Sequence, residues 1–452
     1  MQPAETVNLI LLILNAIISV LFIFCYTYQY IYALIILIKK LPSHKCEPKQ
    51  TKIAVLISAR NEEGVIGNLI DCLTAQDYPK ELTSIFVLAD NCTDKTAEVA
   101  AAHGATVYER ENKNEVGKGY ALEYLLEKLD ADYGKGAFDA FAVFDADNLV
   151  EPNFLTEINK TYSDGYEVVV GYRNTKNYGD NWISAGYGLW YLRDSVILNG
   201  ARQRIGACAM VCGTGFMFSN KIKEQNGGWP FHLLTEDVEF TAKHSTEGEV
   251  FGYCPAAQLY DEQPTSFIVS WHQRLRWAKG GVQVFVKYCK ALIGGIFKKG
   301  TRLTCYDLSM SIAPAYMLTV IATFVNALGI LAALIAGDAL SALSQAGTVF
   351  AGGYVMLFIF GILTTALEWK RIRASAFKKI IYLFTFPLFM YSYIPIAIVA
   401  LFKKVEWKPI AHTAAVSIDE LHGKSEEQDG ESAPTEEQQS SESTNGEEQE
   451  NG

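Results

Sequence analysis

Residues 140–154 read AFAVFDADNLVEPNF, an apolar run that ends in Asp145 and is followed, one residue on, by Asp147. Unbroken apolar character over a few residues fits a strand buried on both faces. Desolvating carboxylates beside it costs several kcal/mol unless a cation or hydrogen-bond donors compensate, so the pair requires a positive partner. Asp-x-Asp at a strand end suits a hard divalent cation, Mg2+ or Mn2+. Such ions take oxygen ligands and are commonly shared between one or two carboxylates and a substrate diphosphate.

The same rhythm runs through the preceding ninety residues. KIAVLIS (52–58), SIFVLAD (84–90) and GATVYER (104–110) are β-rich runs, separated by the helical patterns EEGVIGNLIDCLTAQ (62–76), DKTAEVAAAHG (94–104) and GYALEYLLEKL (119–129). This alternation predicts βαβ units, a parallel sheet covered on both faces and an α/β nucleotide-binding architecture. Ligands of such sheets bind beyond the carboxyl ends of the strands. Polar residues gather there: Ser58, Arg60, Asn61 and Glu62, then Asp90 and Asn91, then Asp145 and Asp147. Helix capping accounts for some of them, Asn61 for a helix from 62 and Asp94 for one from 95. It does not account for Asp145 and Asp147, because the next helix is predicted after Pro152, with Asn148 a turn residue on the way. Neither a G-x-G-x-x-G nor a G-x-x-x-x-G-K-[ST] element is present.

Apolar ends flank this balanced middle. Residues 8–38, NLILLILNAIISVLFIFCYTYQYIYALIILI, carry no charge and exceed the roughly 20 residues a helix needs to cross a bilayer. With no preceding base and no small-residue cleavage site, the run reads as a span rather than a signal peptide. Further spans are predicted at about 310–336, 349–367 and 380–402, with Pro314, Pro387 and Pro395 leaving room for broken or interfacial helices. Lys39, Lys40, Lys45 and Lys49 follow the first span, which places the middle region in the cytoplasm. Lys298, Lys299 and Arg302 agree, as do Lys370, Arg371, Arg373, Lys378 and Lys379, and the base-free loop 337–347 is predicted outside. Lys403 and Lys404 do not fit a count of four crossings, which leaves the side of the C-terminus open.

The net charge of −11 comes almost wholly from residues 425–452, which hold ten acids and no base. Such composition predicts a solvated, disordered tail from about 420. The near-neutral remainder argues against nucleic acid as a partner. The nine cysteines show no Cys-x-x-Cys spacing, which predicts reduced thiols.

Two later stretches carry chemistry. GGWPFHLLTEDVEFTAK (227–243) sets Thr235, Glu236 and Asp237 at a helix start, where Thr235 would serve as N-cap and the helix amides would lower the pKa of Asp237. SWHQRLRWAKGG (270–281) puts Gln273, Arg276 and Trp277 on one helix face, with Arg274 and Lys279 nearby, in a basic helix suited to a membrane surface.

Asp90, DAD (145–147), TED (235–237) and QRLRW (273–277) stand in the order found in the processive, membrane-embedded family 2 glycosyltransferases, which include cellulose, hyaluronan and poly-N-acetylglucosamine synthases. The chain resembles that family over about residues 50–300. The resemblance implies a cytoplasmic GT-A domain (50–300) between a first membrane helix (1–40) and about three more (305–405). It also implies a UDP-sugar donor, UDP-GlcNAc or UDP-glucose, and a glycan or lipid acceptor at the plasma membrane, with room for accessory export subunits. Ser58, Asn61, Glu62, Asp90 and Lys118 would surround the nucleotide. Asp145 would meet the diphosphate and Asp147 the Mg2+ or Mn2+. Asp237, beside Glu236, would be the general base, while Arg276 would stabilise the leaving diphosphate and Gln273 and Trp277 would face the sugars. GTGFMFS (213–219) resembles the acceptor-side loop. Asp90 is followed by NCTD where many members have a second acid, which weakens the carry-over at the base contact. Transfer of a single sugar to a ceramide- or polyprenyl-phosphate-type lipid is a second enzymatic reading. A non-catalytic sugar-nucleotide-binding scaffold is a third, against which the intact acids argue.

Overall fold

The computed structural model describes residues 2–312, 314–407 and 416–423; the acidic tail from 424 onward lies outside the described residues. One sheet organises the middle of the chain. It contains β1 (Ile53–Ala59), β2 (Thr83–Asp90), β3 (Thr106–Arg110), β4 (Ala140–Asp145), β5 (Leu149–Val150), β6 (Val168–Thr175), β7 (Phe216–Ser219) and β8 (Gly252–Asp261). The strand order is β3-β2-β1-β4-β7-β6-β8-β5.

Both faces are covered, which is why β1 reads as unbroken apolar sequence. Ile53, Val55 and Ile57 pack with α2 (Ile66–Thr74), α3 (Thr96–Ala102) and α5 (Phe154–Ser163), whereas Ala54 and Leu56 face α4 (Lys118–Tyr133). β1 pairs in parallel with β2 and β4, in a register that aligns Ser58 with Leu88 and Asp145. The carboxyl ends of three strands therefore stop at one level.

Beyond β4 the sheet is mixed rather than parallel. β7 runs antiparallel to β4 and β6, β8 parallel to β6, and β5 antiparallel to β8. Between β6 and β7 lie α6 (Trp182–Leu192), a π-helical turn (Arg193–Asn199) and α7 (Gly200–Ile205); α8 (Asn220–Asn226) and α9 (Glu236–Glu247) follow β7.

Around this domain stand α1 (Pro3–Ile38), α10 (Phe267–Ile296), α11 (Arg302–Ile312), α12 (Pro314–Ile335), α13 (Ala339–Leu367), α14 (Ala376–Tyr391) and α15 (Tyr393–Phe402). Among the described residues, four stretches are long and apolar enough to cross a membrane: Pro3–Ile38, Met317–Ile335, Ala339–Leu367 and Ala376–Phe402. The predicted span 310–336 is divided between α11 and α12, and most of the predicted outer loop 337–347 is the first turns of α13. Asn15 of α1 and Asn326 of α12 exchange side-chain hydrogen bonds of 3.0 and 2.9 Å, which satisfies both amides within an apolar pair of helices.

The last of these stretches behaves differently from the others. Before it, Arg371 accepts at its carbonyl from Asn174 Nδ2 of β6 at 3.0 Å. Within it, Arg274 Nη1 of α10 donates to the Phe389 carbonyl at 3.2 Å and Ser392 Oγ at 2.6 Å, and Lys279 Nζ donates to the Ala400 carbonyl at 3.0 Å. After it, residues 416–423 return to the sheet. Leu421 is buried in the core cluster that contains Ile70 and Tyr260, Arg373 Nη1 donates to its carbonyl at 2.5 Å, and His422 Nε2 lies 3.1 Å from Glu151 Oε1. The start of the predicted acidic tail, 420–423, is thus a docked helical turn.

Candidate functional site

A cavity of about 930 Å3 opens beyond the carboxyl ends of β1, β2 and β4 and continues between α1, α12, α13 and α14. Ser58, Glu62, Asp90, Lys118, Asp145, Asp147, Glu236, Asp237, Gln273, Arg276 and Trp277 all line it. Of the residues expected from sequence, Asn61 does not. Its backbone is left-handed (φ 57°), and its Oδ1 accepts from the Thr93 N–H at 2.8 Å. It clasps the β1 and β2 loops together rather than capping a helix, since α2 begins at Ile66. Asp94 is not the N-cap of α3 either, a position held by Lys95; one residue before it, Asp94 accepts from the Thr96 N–H at 3.1 Å.

Each strand-end acid is held differently. Asp90 accepts from Arg110 Nη1 at 2.9 Å and Asn91 Nδ2 at 3.0 Å. Asp145 is paired with Lys118, whose Nζ also donates to the Gly213 carbonyl at 2.8 Å. Asn148 is no simple turn residue: it is buried, and its Oδ1 accepts from the Asp145 N–H at 3.1 Å and from Thr214 Oγ1 at 2.5 Å. Asp147 is 5% exposed, and its Oδ2 accepts from the Glu262 N–H at 2.9 Å. Among the described residues no three His, Cys, Asp or Glu side chains form a protein-only metal cage. The donor set nevertheless fits an ion shared with a ligand. Asp145 and Asp147 face the cavity, and the buried Asp261 Oδ1 at the end of β8 has no hydrogen-bond partner.

Two glycines draw the remaining parts together. A Cβ on Gly119 would lie 2.0 Å from the Phe231 carbonyl oxygen, and one on Gly280 would lie 2.9 Å from the Thr235 N. Only glycine permits approaches this close, which bring Lys118 and the α10 face of Gln273, Arg276 and Trp277 against the start of α9. Thr235 does not cap that helix: its Oγ1 is buried without a partner. Instead Glu239 reaches back to accept from the Leu233 N–H at 3.0 Å and pairs with Lys287.

The expected lowering of the Asp237 pKa is reversed. Burial raises it, and this outweighs the Val238 amide and the charges of Lys118, Arg173 and Arg276. Burial and then the Asp237 charge push Glu236 up to about 7. Desolvation wins because the start of α9 is enclosed, so the helix amides act on groups already removed from water.

Several lining residues carried no sequence signal that was read. Arg173 of β6 is paired with Asp261, donates to the Cys212 carbonyl at 2.6 Å and stacks 3.7 Å over Tyr191. Trp407, after α15, lines the cavity with its ring 5.5 Å from the Arg60 guanidinium. Trp277 meets Tyr187 and Tyr191 edge-on. Arg274 is fully buried in helix packing and plays no part in the cavity. The nine cysteines are all free.

Comparison with known proteins agrees with this arrangement. Residues 48–280 match the family described as glycosyltransferase like family 2. A β-monoglucosyldiacylglycerol synthase of Nostoc sp. is 28% identical over 280 residues, 59% of this chain and 56% of that protein. A poly-β-1,6-N-acetyl-D-glucosamine synthase of Staphylococcus aureus is 23% identical over 247 residues, 52% of this chain and 56% of that protein. The chain thus spans a little over half the length of these relatives. Among solved structures, the mannosyltransferase PcManGT from Pyrobaculum calidifontis, in complex with GDP-Man and Mn2+, shares the fold. Its TM-score is 0.55 at 18% identity, covering 86% of this chain and 99% of that one. With more than half of its length matched, and with the acids of that match converging on one cavity, the chain belongs to the family 2 glycosyltransferases.

Proposed function

We propose that the chain transfers a sugar, with inversion, from a UDP-sugar (UDP-GlcNAc or UDP-glucose) to a hydroxyl acceptor at the cytoplasmic face of the plasma membrane. The observation that carries this reading is that Asp145 and Asp147 share one cavity with Asp237 and Arg276, and that this cavity runs on into the membrane helices. Ser58, Glu62, Asp90 and Lys118 hold the nucleotide, with Asn61 fixing the loops behind them. Asp147, with Asp145, would hold Mg2+ or Mn2+, whose charge offsets that of the leaving diphosphate. Asp237 takes the acceptor proton as the acceptor oxygen bonds to the anomeric carbon and the bond to the diphosphate breaks. Arg276 stabilises the departing UDP, and Gln273 and Trp277 contact the sugars. Glu236, protonated in part near neutrality, limits the negative charge beside the base.

The contacts of residues 368–375 and 416–423 with the sheet support three crossings, by α1, α12 and α13. α14 and α15 then form a pair lying against α10, which puts Lys403 and Lys404 on the cytoplasmic side in keeping with charge orientation.

The acceptor is a growing glycan, as the S. aureus relative supports, or a lipid, as the Nostoc relative supports. Membranes containing the protein should label product from one radiolabelled UDP-sugar, lose this activity to EDTA and regain it with Mg2+ or Mn2+. Asp237→Asn should lower kcat by about 10²–10⁴-fold while retaining UDP affinity. Undiminished turnover in that variant removes Asp237 as the base.

A further inference from the structure

A second cleft, of about 300 Å3, lies where α1 ends. Lys39, Lys40 and Lys45 of the segment after α1 line it together with Arg204 of α7, Asp164 and Tyr166. The two parts are fastened to each other. Arg204 Nε donates to the Lys39 carbonyl at 2.7 Å, Lys39 Nζ donates to the Arg204 carbonyl at 3.5 Å, and Ile36 packs in one apolar cluster with Ala201 and Ile205. Asp164 holds the far end of the segment: it accepts from the Lys45 and Cys46 N–H groups at 2.6 and 3.3 Å and lies 2.8 Å from His44 Nδ1.

The cations of the cleft lack a counter-charge. Among the described residues, Lys39, Lys40, Lys45 and Arg204 form no ion pair with a carboxylate, and the one acid of the lining, Asp164, is engaged by the amides of the segment and by His44. Arg204 is half-buried and directs Nε and Nη1 to the Lys39 and Gly200 carbonyls, both at 2.7 Å. Burial draws its pKa down, opposed only by Tyr253. Charge orientation calls for bases in the loop after a membrane span. It does not call for a half-buried arginine brought to that loop from 165 residues further along the chain.

An apolar surface leads into the cleft. Leu34, Leu37 and Ile38, just before the first lysine, are exposed. A free phosphate would use the cations alone, whereas a phospholipid would use both features, its headgroup on the bases and its chains along those side chains. Anionic lipids of the cytoplasmic leaflet attract nearby Lys and Arg by about 1 kcal/mol per charge, and basic pockets beside membrane helices on that face suit their headgroups. The arginine fork also matches phosphate oxygens in geometry. The Tyr166 hydroxyl adds a donor, since it accepts from Gln203 Nε2 at 3.4 Å and keeps its own proton to give.

We propose that this cleft binds the phosphate headgroup of an anionic phospholipid of the cytoplasmic leaflet, with Arg204, Lys40 and Lys45 on the phosphate and the acyl chains along Leu34, Leu37 and Ile38. The site is separate from the transferase cavity and rests only on α1 crossing the bilayer. Its occupant is a bound lipid and not a reactant. Two residues before Arg204 on α7, Arg202 lines the large cavity, so an anion held by Arg204 braces that wall against the end of α1.

The test uses the full chain in phosphatidylcholine nanodiscs that carry a small fraction of a photoactivatable phosphatidylglycerol or, in parallel, of the matching phosphatidylcholine, with crosslinked peptides mapped by mass spectrometry. The phosphatidylglycerol probe should label residues 34–45 and 200–206 well above the phosphatidylcholine probe, while both label the middle of α1 alike. Lys40→Gln and Lys45→Gln, at exposed positions, should each lower the phosphatidylglycerol label at these residues about fivefold, one charge near the membrane surface, with the melting temperature unchanged. Arg204→Gln should lower it further. Excess inorganic phosphate should leave the label in place. Equal labelling by the two lipids, or phosphatidylglycerol labelling indifferent to both lysine substitutions, overturns the site. Loss of label to inorganic phosphate overturns the lipid in favour of a soluble anion. Absence of label from the whole of α1 removes the crossing of α1 and the site with it, and leaves the transferase reading, which UDP-sugar turnover tests, untouched.

Discussion

Replacing Glu236 by Gln separates the two carboxyls that open α9. Glu236 is 8% exposed and sits next in sequence to Asp237. Burial and the Asp237 charge carry its pKa from an ordinary 4.5 to about 7. Between those values the folded protein holds a proton that the unfolded chain has released, so stability falls as pH rises through the window. The contribution is fully present below pH 4.5 and lost above 7. A rise of about 2.5 pH units, at roughly 1.4 kcal/mol each, sets its size at about 3 kcal/mol. Gln matches the protonated acid in shape and cannot ionise. Glu236→Gln should therefore unfold about 3 kcal/mol harder than wild type at pH 8 and no differently at pH 4.5, as read by denaturant unfolding of the nucleotide-free protein at a series of pH values. Turnover at pH 7 should fall far less than in Asp237→Asn, because Asp237, the proposed proton acceptor, remains. A pH-independent loss of stability would refute the reasoning, since it would mean that Glu236 is held as a carboxylate by its neighbours.

Arg276→Lys keeps the charge but loses the planar fork, and should lower kcat/KM by roughly 10²-fold in initial-rate assays. Trp407→Ala removes the ring over Arg60, a contact of about 1 kcal/mol, and should raise the donor KM about fivefold with kcat little changed. Cysteines introduced singly at Leu340 and Lys403, both exposed, report on topology: an impermeant maleimide added to intact cells should label the first and spare the second.

What the sequence made legible is what lies close together along the chain. The strand ends at Ser58, Asp90 and Asp145 could be read because βαβ units pair neighbouring segments and because a buried strand announces itself by continuous apolar residues. β6 to β8 pair across long intervals and partly antiparallel, and nothing local encodes that order. Two signals there were present and unread. Arg173 stands inside VVVGYRNT, and a cation in a buried strand needs an anion; Asp261 is the acid at the end of β8 as Asp145 is at the end of β4. The sign of the Asp237 shift was illegible for a different reason. Local sequence shows the helix amides, whereas the enclosure that outweighs them comes from α10, some forty residues later. Asn61, expected around the nucleotide, falls outside the cavity lining because a left-handed backbone turns its side chain to the Thr93 N–H.

The enclosure also suits Asp237, at a helix start, to the proposed role of base, because burial raises its pKa. Left in water at the positive end of α9, Asp237 would be a weak proton acceptor. Gly280 changes this by letting α10 come so near that a Cβ there would lie 2.9 Å from the Thr235 N, and Arg276 and Trp277 of the same helix line the cavity with the two acids. On the proposed roles of Asp237 and Arg276, proton acceptance and stabilisation of the leaving group are coupled through one helix–helix contact: loosening it would hydrate Asp237, lower its basicity and withdraw Arg276 at once. That coupling explains why α10 is anchored so heavily at its far side, where the buried Arg274 holds the Phe389 carbonyl and Ser392. The pair α14 and α15 serves, on this argument, as the clamp that keeps α10 pressed onto Glu236 and Asp237.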